Sequence, residues 1–118
     1  MENNSVLNDV KKILGIDKSY THFDADLIIH INSVFMILSQ IGLGGKDIFT
    51  IKSENDLWTD FIPNDGLLSC VKSYVSLKVK LLFDPPVAST SMEALNRMIS
   101  EYEWRISVAV DPPEGVIT

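Results

Sequence analysis

The sequence predicts an all-α fold: four helices in one small domain, with a loop-rich middle that has room for a short β element. Three observations predict it. Apolar residues recur at helical spacing in four separate stretches. Each stretch ends on a stop signal: Gly15, Gly42, and Asp-Pro-Pro at both 84–86 and 111–113. The 118 residues, 46% of them hydrophobic, suit a single domain spanning 1–118 that buries a core rather than a disordered chain.

The first helix is expected over about 6–14, capped by Ser5, with Val6, Leu7, Val10, Ile13 and Leu14 on its apolar face. Gly15 supplies the left-handed stop and Ile16 the apolar residue beyond it. Thr21 to Asp24 reads as a capping box for a second helix over about 22–41. Its stripe is Leu27, Ile28, Ile31, Val34, Phe35, Leu38 and Ile41. Ala25, Ile29 and Met36 project from nearly the opposite side, with Ile37 on the flank. A helix with two apolar faces has to cover both, and in so short a chain a neighbouring subunit or the 43–65 segment is the available cover.

The middle begins with Gly42-Leu43-Gly44-Gly45. Ile48 to Ile51 fits a short strand or an extended arm. Ser53 to Asp56 carries a weaker capping signal, and Leu57, Trp58, Phe61 and Ile62 fit a helical turn that Pro63 ends. The third helix is expected over about 66–83 as the central one, with Leu67, Leu68, Val71, Tyr74, Val75, Val79, Leu81 and Leu82 facing inward. Ser69, Lys72, Ser73, Ser76 and Lys80 form its polar strip. Thr90 to Glu93 is a second capping box, for a fourth helix over about 91–109. Met92, Leu95, Ile99, Tyr102, Ile106 and Ala109 share one of its faces. Glu93–Arg97 and Glu101–Arg105 have the favourable acid-first i,i+4 order.

The formal net charge of −6 disfavours tight DNA binding by phosphate neutralisation. The N-terminus lacks the pattern of a signal peptide, and no uninterrupted apolar run reaches about 18 residues, so no membrane span is expected. Cys70, the sole cysteine, reads as a small packing residue, and no Cys/His cluster suggests zinc. Asp26 and His30 are one turn apart and fit a solvated surface pair. The glycine-rich loop lacks the strand, the helix and the Lys-Ser/Thr that a phosphate site needs, and the carboxylates pair nowhere as an acid and a base. No catalytic residue, metal or cofactor is expected.

Two residues resist a bland reading. Lys78 falls in the apolar sector of the third helix, where an ammonium must either reach water or find an acid. Glu101 and Glu103 on the fourth helix are the candidate partners. Trp104 projects opposite the apolar stripe of that helix, which suits either cover by the 43–65 segment or a subunit contact. The candidate subunit interface is therefore Ile29, Met36, Ile37 and Trp104.

Several short motifs, taken in order, resemble the phage head–tail connector (head-completion) family. In the first half these are Lys12-Ile13-Leu14-Gly15, Phe23-Asp24, Ile31-Asn32 and Gln40-Ile41-Gly42. In the second half they are Trp58 with Asp60-Phe61, Phe83-Asp84-Pro85-Pro86 and Glu103-Trp104-Arg105. None is catalytic, and their order along nearly the whole chain carries the resemblance. It implies a helical, non-enzymatic subunit of a ring of about a dozen copies, made in the host cytoplasm and placed in the virion neck. Such a ring sits below the portal protein, offers a platform to the next neck or tail protein and extends the channel. DNA passes through without sequence-specific binding, and no membrane is involved. Assembly can require the portal as a template, leaving the isolated chain monomeric. The competing reading is a small helical protein-binding regulator of the antitoxin kind, which predicts a dimer and often a basic recognition helix. No helix here is strongly basic.

Overall fold

The computed structural model describes residues 4–44 and 47–110. Four helices appear in the expected order: α1 (Val6–Leu14), α2 (Asp24–Ile41), α3 (Gly66–Phe83) and α4 (Ser89–Val110). There is no strand among the described residues, and the β element of the middle reduces to one antiparallel bridge between Ser5 and Leu57. The second Asp-Pro-Pro stop and the tail after it lie outside the described residues.

The ends of the first two helices follow from local chemistry. The Ser5 side chain accepts a hydrogen bond from the Asn8 backbone N–H at 3.3 Å, satisfying one of the donors that a helix start leaves unpaired. At the other end of α1, Gly15 has φ 79°. There the Ile16 and Gly15 N–H groups bond back to the carbonyls of Lys11 and Lys12, closing a Schellman motif. Gly42 ends α2 in the same way at φ 110°, and Leu43 turns back into the core.

Asp65 caps α3 by accepting from the Leu67 and Leu68 N–H groups. The two expected capping boxes do not form. Helix α2 starts after Phe23 without a side-chain cap, because the Asp24 carboxylate is bound to the Lys11 ammonium instead. Helix α4 already starts at Ser89, so Thr90 lies inside it.

Helix α3 is the hub: it packs against α1, α2 and α4, and α1 also packs on α2. The core is filled by Val6, Leu7 and Val10 from α1 and by Leu27, Ile31, Val34, Phe35 and Leu38 from α2. Leu68, Val71, Tyr74, Val75 and Val79 come from α3, and Leu95, Ile99 and Ile106 from α4. By length and composition α2 could cross a membrane, with a mean hydropathy of 1.2 over its 18 residues. Both of its faces contribute to that average; the inner one is the core of this bundle.

The middle segment folds over α1 and α2. Asn32 of α2 bonds both ways with the Ile51 backbone, at 2.8 and 3.0 Å, so a side-chain amide takes the place that a partner strand would fill. Phe49 and Phe61 stack on each other, and each meets the edge of Phe35. Trp58, within a 3₁₀ turn over Trp58–Asp60, is fully buried and donates its indole N–H to Asp9 at 2.8 Å. Ser53 to Asp56 forms a turn rather than a helix start, with the Asp56 carboxylate accepting from the Lys52 and Ser53 N–H groups.

Candidate functional site

Helix α1 is rotated relative to its expected face. Lys11 is fully buried and Ile13 is 55% exposed. The ammonium of Lys11 donates to the Lys18 carbonyl at 3.0 Å, the Tyr20 carbonyl at 2.7 Å and Asp24 at 2.8 Å. Three acceptors replace its water, which makes burial tolerable. The site is structural: it ties the 15–23 connection to both helices that flank it. Leu82, expected to face inward, is likewise exposed, and Ser76 of the supposed polar strip is buried.

The groups that chemistry would need stay apart. His30 faces the ring of Phe83 and His22 that of Phe23; neither histidine forms an ion pair among the described residues. No group of three or more metal-binding side chains occurs among the described residues. Cys70 is half-buried with its thiol toward the Tyr102 carbonyl at 3.9 Å. Burial raises its pKa, which makes it a poorer nucleophile at neutral pH.

The acids expected to meet Lys78 have other partners. Glu103 accepts from the Tyr74 hydroxyl at 2.7 Å, and Glu101 pairs with Arg105 at 2.9 Å. Lys78 is half-buried and makes no ion pair among the described residues. Tyr74 occupies the position because its ring lies in the core while its hydroxyl reaches the edge of α4. Burial, then the bond to Glu103, pushes the phenol pKa well above its usual value. Of the two i,i+4 pairs on α4, only Glu101–Arg105 closes.

Several large apolar side chains also face outward. Ile29 is 63% exposed and Met36 49%, so the 43–65 segment leaves them uncovered; Ile37 is half-buried on the flank. Both exposed residues lie roughly 180° around α2 from the centre of its buried stripe. On α4, Trp104 is 63% exposed and directly opposite Leu95, Ile99 and Ile106. These two faces sit on different helices, each directed away from the core side of its own helix.

The fold is a small helical bundle with large apolar side chains exposed on α2 and α4. Residues 6–113 match the family model described as phage connector protein, and the chain belongs to that family. It is thus a component of the phage virion that assembles with other virion proteins, and the regulator reading is not favoured. No curated protein and no solved structure matches the chain.

Proposed function

We propose that residues 1–118 act as one connector domain that assembles into a ring of about a dozen copies, joining the portal to the neck or tail. The ring extends the DNA channel, and its subunits are made in the host cytoplasm. It performs no catalysis, and its acidic chain lets DNA pass without gripping it. The observation that carries this reading is the pair of unlike exposed apolar sites, Ile29 with Met36 on α2 and Trp104, set among polar residues, on α4. A ring of more than two copies is built head to tail, so each subunit must offer two different surfaces. Ile37 borders the first face. Large exposed apolar side chains on a small acidic protein are otherwise a liability.

The test is native mass spectrometry of the purified protein, alone and with portal protein. A closed oligomer, in isolation or on the portal, is the expected outcome. A chain that stays monomeric under both conditions at high concentration, or that stops at a dimer, overturns the ring.

A further inference from the structure

The outer sides of α2 and α4 carry matching patterns. On α2, Asp26, Ile29, Ser33 and Met36 share one face, and all four are exposed. Ser33 is the low point between two large apolar side chains. Its hydroxyl already donates to the Ile29 carbonyl at 3.0 Å, so the gap asks for no polar partner. Asp26 lies two turns before Ser33, about 10.5 Å along the axis. It is the one charge on this stripe and has no partner among the described residues. On α4, Arg97 lies two turns before Trp104 on one exposed face, at the same spacing. Arg97 makes no ion pair among the described residues. The acids beside it are Glu93 and Glu101, and Arg105 holds the second at 2.9 Å.

The two helices also run the same way. Phe23, just before α2, meets Phe83 at the end of α3, with ring centroids 5.2 Å apart. Cys70 and Tyr74, in the first half of α3, meet Tyr102 and Glu103 in the second half of α4. Both α2 and α4 are therefore antiparallel to α3. They also end together: a β-carbon on Gly42 would come to 3.0 Å from the Val110 side chain. Successive copies in a ring of about a dozen are turned by only about 30°. When α4 of one copy meets α2 of the next, the two helices thus lie nearly parallel.

We propose that α4 of one copy packs along α2 of the next, nearly parallel, with Trp104 seated over Ser33 between Ile29 and Met36 and with Arg97 opposite Asp26. This rests on the ring reading and gives it a register. The equal spacing lets both contacts form at once, and the Met36 thioether suits an aromatic neighbour. Charge fixes the register. With Trp104 over Ser33, no acid of one stripe is level with an acid of the other. A slide of one turn either way sets Glu93 or Glu101 against Asp26 and takes Arg97 away from it. Running the helices antiparallel would set Arg97 opposite Gln40 instead.

The experiment is charge reversal and its rescue, read by native mass spectrometry under the conditions in which the wild type assembles, with circular dichroism to verify folding. Asp26→Arg alone and Arg97→Asp alone should each weaken association tenfold or more. The double variant Asp26→Arg/Arg97→Asp should recover to within about threefold of wild type, since the pair is restored with its signs exchanged. Ser33→Leu changes an exposed helical position, so it keeps the fold while filling the gap, and it too should weaken association tenfold or more. An assembly indifferent to Ser33→Leu overturns the seat of Trp104, whether or not the charge variants fold. If the ring forms and both single charge variants assemble like wild type, the pairing of α4 with α2 is wrong while the ring stands. If both weaken it and the double variant does not recover, the two residues are not opposite each other and the register fails. If the variants assemble with one another but lose capture by portal protein, these faces belong to the portal and the inference fails. If the wild type never assembles, alone or on the portal, the ring reading itself fails and takes this one with it.

Discussion

Lys11 shows how much one side chain can organise. Replacing it by methionine keeps the bulk but strands the Lys18 and Tyr20 carbonyls and the Asp24 carboxylate. The expected loss is roughly 2–4 kcal/mol, with water softening it at Asp24, whose side chain is 25% exposed. A shift of the urea midpoint at constant slope checks it. Tyr74 gives a dependence on pH. Its folded-state pKa is raised, so above about pH 10 the native protein keeps a proton that the unfolded chain has released. Native protein then binds more protons than unfolded, and stability falls as pH rises. Tyr74→Phe should cost about 1 kcal/mol at neutral pH for the lost hydrogen bond to Glu103, yet lose less stability than the parent across the alkaline range. Denaturation curves at pH 7 and above pH 10 separate the two effects. Lys78→Ala should cost under about 1 kcal/mol, because no carboxylate is left stranded.

At the scale of elements, the turns hold the arrangement as firmly as the helices. Gly44 has φ 91°, and a β-carbon there would sit 2.5 Å from the Phe61 ring. Gly44→Ala combines left-handed backbone strain with a clash against a packed aromatic ring, for roughly 2–4 kcal/mol. Thermal unfolding should show a clear drop. Helix boundaries were legible in the sequence wherever the signal is local: Ser5, Gly15, Gly42 and the first Asp-Pro-Pro all act within a few residues, whereas the Asp65 cap of α3 came from the structure. Faces were legible where the apolar period is regular, as in α2, including its outer Ile29 and Met36. The failures share one cause, which is tertiary competition. Asp24 gave up its capping role to a lysine thirteen residues earlier. Of the strand and the arm that Ile48 to Ile51 fitted, the arm formed, because Asn32 satisfied the Ile51 backbone from a helix. The Tyr74–Glu103 bond depends on the pitch of α4 against α3, which no spacing along the chain encodes.

For the whole molecule, stability and assembly should separate cleanly. Ile29→Glu with Met36→Glu alters two exposed positions, so each change should move the unfolding free energy by no more than about 0.5 kcal/mol. The same pair should abolish association on the portal, read by native mass spectrometry. Retained folding with lost assembly is the expected result, whereas an unfolded variant would place these residues in the core.

The position of α3 between α2 and α4 has a geometric corollary. In the proposed ring, the wedge angle between the two lateral faces of a subunit sets how many copies close the circle, about 30° per step for twelve. Helices α2 and α4 each pack on α3, so the wedge follows from two helix-packing tilts against one shared helix. A thirteenth copy requires a change of only about 2°, and close-packed interiors transmit small displacements rather than absorb them. Trimming Val75 or Val79, which lie in no contact surface, is therefore expected to broaden the distribution of ring sizes before it prevents closure.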